Sequence, residues 1–355
     1  MVKTVQRGQL ANLTMRQFEN LKMKLTCLAS CILLLVSCTD SKKTEETKQP
    51  EVKTVELEHV TAPAFNSDSA YAFIKVQADM GPREPGSKAH EKAVNYFEAK
   101  FKEYGADVII QKATVTTFDQ KKWLSKNIIA SFNKESTTRV MLCAHWDSRP
   151  FCDEDSNKAN AKKPCPGVND GASGAGVLIE VARILAKQKP NIGIDIMLWD
   201  MEDYGRGQVD YNGEGMEDDW GLGSQYWSKN PHKQGYTARY GILLDLVGTK
   251  NVVFPKEQNS VFYASNFVNK IWSTANNLGY SNYFIQKQIG PITDDHVFVN
   301  KFASIPCVDI IGYDPDKNRF FPEHHTLADD IKLIDKTTLK VVGQTVLEVI
   351  YNEQP

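Results

Sequence analysis

The 355-residue chain has little that would mark it for nucleic acid or for the interior of a membrane. Lys and Arg number 42 against 44 Asp and Glu, a net charge of −2, and no basic stripe gathers the positive charge on one segment. Binding to a phosphate backbone is therefore not its business. The apolar run through Ile32, Leu33, Leu34, Leu35 and Val36 is too short for a comfortable membrane span. No internal repeat is present. Cysteine is sparse, and three of the seven (Cys27, Cys31 and Cys38) fall in the first 38 residues. What remains is ordinary globular material, 41% apolar and 24% charged, enough for one large α/β domain.

The first 64 residues read as address and tether. Met23-Lys24-Leu25 followed by the short apolar run has the form of a secretory signal. It ends Leu35-Val36-Ser37-Cys38, similar to a bacterial lipobox with Cys38 as the lipidated first residue; the alternative is an ordinary signal peptide. Met23 is the expected start, with Met1–Lys22 an extension. Residues 39–64 are mostly Lys, Glu, Thr and Ser, too polar to bury a core. The sequence thus predicts export in a bacterium, periplasmic or outer-membrane associated, with membrane contact only through the lipid.

Export changes how the other cysteines read. Cys143 and Cys307 lie in apolar runs, as buried thiols do. Cys152 and Cys165 flank a short polar insert, and a disulfide between them is expected in an oxidising compartment. Two free or metal-binding thiols are the alternative.

Residues 65–355 form one catalytic domain in this reading. Helical spacing marks 67–80, 87–104, 171–189, 260–278 and 336–351. Strands are predicted at 108–118, 127–132, 140–144, 194–199, 240–244, 283–289 and 305–311. Their alternation implies an α/β fold, doubly wound, with a mixed, mostly parallel central sheet flanked by helices. Polar groups collect where those strands end: His145 and Asp147, Glu202 and Asp203, Asp245. Asp170 opens a helix rich in Gly, Ala and Ser, whose small residues permit close packing on the sheet. Two loops add Asp294-Asp295-His296 and Glu323-His324-His325. Crowded carboxylates repel unless a cation neutralises them, and carboxylate with imidazole suits zinc. Glu202 and Asp203 are adjacent, so one can hold metal while the other faces substrate as a base. His59, His90 and His232 have no clustered partners and are expected at the surface. The acidic loop 204–223 lacks a full calcium ligand set and reads as a lid.

The ordered series H-W-D-S, G-V-N-D-G-A-S-G, D-M-E-D, L-L-D-L-V-G, D-D-H-V-F and F-P-E-H-H-T resembles the glutaminyl-peptide cyclotransferases, built on the zinc aminopeptidase fold. The resemblance implies one zinc per chain, held by Asp170, Asp203 and His325. It implies Glu202 as acid/base, with Asp245 and Asp294 holding the substrate amine and supporting that base. The implied reaction is cyclisation of an N-terminal Gln of a peptide or protein to pyroglutamate with loss of ammonia, by a monomer. Three departures stand out: Asp203 where animal members have Glu, His324 where they have Trp, and no Trp soon after the Glu202-Asp203 pair. Trp220 is the nearest replacement, and Trp220, His324 and His296 are the candidate substrate-binding residues. His145 is a possible remnant of a second metal site. The rival is a two-zinc aminopeptidase using His145, Asp170, Asp203, Asp245 and His325. A third possibility is an exported lipoprotein that binds peptide N-termini without turnover.

Overall fold

A computed structural model describes residues 60–207 and 217–355. The segment carrying Cys38, His59 and the tip of the acidic loop lie outside them. No described helix is long and apolar enough to cross a membrane.

Eight strands are described: β1 Asp107–Thr116, β2 Lys122–Phe132, β3 Arg139–His145, β4 Gly193–Trp199, β5 Tyr240–Asp245, β6 Phe254–Lys256, β7 Phe284–Gln288 and β8 Cys307–Ile311. Six of them form the main sheet in the order β1-β2-β4-β3-β5-β8, and β6 pairs with β7 apart from it. β4, β3, β5 and β8 run parallel, while β2 is antiparallel to both β1 and β4. The mixed, mostly parallel sheet expected from the alternation is present.

The helices are α1 Ser67–Met80, α2 Lys88–Glu103, α3 Ala172–Leu185, α4 Leu222–Lys229, α5 Gln258–Asn277, α6 Asp295–Phe298 and α7 Lys336–Tyr351. Side chains on the central strands alternate between two cores, as the two-residue period requires. Val140, Leu142 and Ala144 of β3 enter the larger core beside α1, α2, α3, α5 and α7. Met141 and Cys143 enter the smaller one with Trp199, Trp227 of α4 and Cys307. Both cysteines are fully buried, as their apolar surroundings indicated.

Asn66 caps α1, accepting a hydrogen bond from the Ser69 N–H at 3.1 Å. The short α4 and β6 carried too little periodicity to be read. Residues 60–64, assigned to the tether, pack on the domain: Asn352 exchanges two 2.9 Å bonds with the Val60 backbone, and Ala62 is buried.

Candidate metal centre and cleft

Parallel strands bring their carboxyl ends to one edge, and that edge carries the site. His145 ends β3, Asp245 ends β5, and Glu202 and Asp203 lie just past β4. Asp170 precedes α3, whose N-cap is Gly171 at φ 82°, so Asp170 does not cap the helix. A Cβ on Gly171 would meet the Asp147 carbonyl oxygen and the His145 ring, both at 2.8 Å. At Gly174 it would come within 2.2 Å of the Leu244 carbonyl oxygen. The small residues thus let α3 start against the strand ends. His325 arrives from its loop in the left-handed region, at φ 52°, uncommon for a residue with a side chain.

Asp170, Asp203 and His325 converge in one buried group. His325 Nε2 lies 3.2 Å from Asp203 Oδ1 and 3.5 Å from Asp170 Oδ2. His145 Nε2 lies 3.0 Å from Asp170 and 3.2 Å from Asp245, so Asp170 belongs to two adjoining groups. Burial, then the charges of His324 and Arg149, push His325 well below the usual histidine range and keep its ring neutral. Burial and the neighbouring Asp170 push Asp203 well up. Burial also opposes charge on Asp170, but His145 outweighs it and holds that carboxyl low. The buried Asp203 Oδ2 has no hydrogen-bond partner. Two carboxylates, a neutral imidazole and an orphaned ligand oxygen facing a cleft fit a catalytic zinc.

The surroundings hold these groups from behind. Asp147 accepts the backbone N–H of Glu202 at 3.1 Å and of Asp203 at 3.3 Å, across a bend whose Met201 has φ 60°. Asp329 accepts the N–H groups of Asn169 and Asp170 at 2.7 and 3.1 Å. The buried Arg149 donates to the Asp203 and Gly205 carbonyls at 3.1 and 3.2 Å and pairs with Asp153 at 2.6 Å. Neither Asp329 nor Arg149 was singled out in the sequence, although Arg149 directly follows the H-W-D-S motif.

A cleft of about 630 Å³ opens in front. Its floor is acidic, with Asp170, Glu202, Asp203, Asp245 and Asp294; Trp220, Ile292, Tyr313 and Phe320 supply apolar wall. Trp220 lies parallel to the His325 ring, 6.1 Å between centroids and 6° between planes, with Arg149 4.9 Å from the indole. His324 also lines the cleft; its Nδ1 is 3.3 Å from Glu154, a partner the motifs did not reveal. Burial, with Asp294 and Asp203 adding repulsion against an opposing His145, raises Glu202 well above the carboxylate range. Burial, then Asp245, takes Asp294 to about 7.

Three histidines depart from expectation. His296 does not reach the cleft; it is fully buried and bonds Glu257 through Nε2 at 3.0 Å. His90 is buried as well, 2.9 Å from Asp200 and against the Trp146 ring. His232 is half-buried beside Trp227. Cys152 and Cys165 lie side by side as two buried free thiols, sulfurs 2.8 Å apart.

The sequence model of peptidase family M28 matches residues 127–350, from β2 to the last helix. The chain belongs to peptidase family M28. Among solved structures, this M28 chain is similar to a glutaminyl cyclase of Bacteroides thetaiotaomicron bound to N-acetylhistamine. They share 49% identity over 82% of this chain and 100% of that one, with a TM-score of 0.80. A leucine aminopeptidase precursor from the same species is 48% identical over 83% and 100% of the two chains, also at 0.80. Aminopeptidase YwaD of Bacillus subtilis is 26% identical over 220 residues, 60% of this chain but only 40% of that protein. The M28 fold is the zinc-aminopeptidase-like one implied by the motif series.

Proposed function

We propose that the protein is a zinc-dependent glutaminyl-peptide cyclotransferase, turning the N-terminal Gln of peptides or proteins into pyroglutamate and ammonia. The observation that carries this is the pair of acids on the far side of Glu202. Asp245 and Asp294 line the cleft together with Glu202, a set of acceptors suited to a substrate amine. A solved structure matched along its whole length is a glutaminyl cyclase, which supports the reading.

Asp170, Asp203 and His325 would hold one zinc per chain. Bound there, the ion supplies Lewis-acid polarisation of the γ-amide carbonyl. Asp245 and Asp294 orient the α-amine toward the carbonyl carbon of the side-chain amide, and Trp220 and His324 border the Gln side chain. Glu202 takes a proton from the attacking amine as the new C–N bond forms. It returns that proton to the departing amide nitrogen, which leaves as ammonia when the old C–N bond breaks. A carboxylate whose affinity for protons is raised by burial suits both halves of this transfer.

The specific observation favouring an aminopeptidase is the second group, His145, Asp170 and Asp245, which shares Asp170 with the first. Ammonia release from Gln-initiated dipeptides, run beside leucine-amide hydrolysis and metal analysis, separates the two. The cyclase reading expects ammonia, negligible hydrolysis and one zinc; brisk hydrolysis with two zincs overturns it. We also propose that the enzyme is exported, monomeric and anchored by lipid on Cys38. An intact mass lacking lipid, on a chain starting beyond Cys38, overturns the anchor.

A further inference from the structure

Behind Asp294 lies a buried line of groups that the proposed reaction does not use. Glu257 stands at the N-cap of α5 and accepts three backbone N–H bonds, from Asn259 and Ser260 at 2.7 Å and Ile292 at 2.9 Å. Burial works against its charge, yet the bond from His296 and those N–H groups hold it below the ordinary carboxylate range. An ionised Glu257 can only accept, so His296 Nε2 must donate to it across their 3.0 Å contact. That fixes the other nitrogen, Nδ1, as the one turned toward Asp309, whose Oδ2 is 3.7 Å away.

Nδ1 and both oxygens of Asp309 are buried and have no hydrogen-bond partner. Left without a proton, this contact sets a nitrogen lone pair against a carboxylate, two acceptors facing each other out of reach of water. Asp294 makes it worse, because Asp294, His296 and Asp309 place one ligand atom each within 4.8 Å of one another. The groups facing Asp309 are His296, Asp294, Asp245, Glu257 and the Cys307 thiol; those facing Asp294 are Asp245, Glu202, Asp295, His296 and His145. Acids dominate both shells, and two bare carboxylates this close in a buried site repel strongly. One proton resolves both conflicts.

We propose that Asp309 is a resident carboxylic acid whose O–H is directed at His296 Nδ1, and that the Glu257–His296–Asp309 line is a positioning device for Asp294. With Asp309 neutral, Asp294 can present its charge to the cleft, where the cyclase reading, on which this rests, puts the substrate amine. Burial supports the assignment, driving Asp309 well above the ordinary range, with Asp294 and Asp245 adding to it. Asp309→Asn copies the shape of the protonated acid but has no proton to lose. We expect it to move the alkaline limb of the kcat profile upward by about one pH unit or more, measured on whichever substrate the wild type turns over.

An unmoved limb in a folded, zinc-loaded Asp309→Asn protein overturns the proposal. So does a second tightly bound metal ion lost with Asp309, since the same three donors would then be a cation site. Infrared difference spectra between aspartate-labelled wild type and Asp309→Asn provide an arm that needs no activity. A carboxylic-acid carbonyl stretch at about pH 8 that the variant lacks supports a resident acid, and its absence from the difference overturns it. A wild type that releases no ammonia would sink the cyclase reading while leaving this infrared result standing.

Discussion

Exchanging Glu202 for Gln tests the division of labour between two neighbouring acids. Glu202 is 8% exposed, and its raised proton affinity comes first from burial. The amide keeps the side chain's size and leaves untouched the 3.1 Å bond from the Glu202 N–H to Asp147. It removes an acid whose ionisation is opposed by burial and by Asp294 and Asp203, so the melting temperature should hold or rise. What disappears is the proton carrier. A positioned acid–base group contributes roughly 10²–10⁴ in rate, or about 3–5 kcal/mol of barrier. Turnover, followed by coupled ammonia release, should fall by at least about 100-fold while zinc content by mass spectrometry stays near one per chain. Asp203→Asn should do the reverse at the metal, because a neutral amide is a poor zinc ligand. Equal zinc loss in the two variants, or a Glu202→Gln enzyme with a tenth or so of its activity left, would refute the reasoning.

Gly174→Ala should destabilise the fold by about 1–3 kcal/mol, read as a lower urea midpoint, because its Cβ meets backbone, the Leu244 carbonyl at 2.2 Å, and not a movable side chain. A bond between Cys152 and Cys165 should appear as a linked peptide pair after non-reducing digestion. Its loss in Cys152→Ala should cost about 3 kcal/mol at most, with little change in turnover. Metal-free protein should lose stability as pH rises from about 4 to about 7. Asp294 and Asp329 are both raised to about 7, chiefly by burial, so the folded state keeps protons that the unfolded chain releases in that window. Asp329→Asn should flatten the slope of melting temperature against pH; an unchanged slope would remove Asp329 from the account.

The frame of the site was legible because strand ends are legible. β3, β4 and β5 are short apolar runs, and polar residues at or just past their ends, His145, Glu202, Asp203 and Asp245, meet in the site. His325 was reachable through its motif, although nothing in composition announces its left-handed backbone. The errors have a common physical origin, since position along the chain does not reveal direction in space. Asp294 and His296 are two residues apart at the start of a helix, where that spacing turns a side chain by about 200°. One therefore faces the cleft while the other points into the core. His90 was assigned to the surface for want of neighbours in sequence, yet its partner Asp200 lies 110 residues away. Asp329 and Arg149 act on backbone groups, and such contacts leave no pattern in side-chain types.

Asp147 carries a consequence for how such a site can change over generations. Its carboxylate grips the main chain at both 202 and 203, so the path of that bend does not depend on which acids it bears. A lineage can exchange Asp for Glu at 203, altering only how far that side chain reaches, without disturbing Glu202. Substitutions at the two positions become nearly independent experiments for selection. That separability offers a route by which one inherited metal cradle could drift between hydrolysis and cyclisation through small, individually tolerable steps.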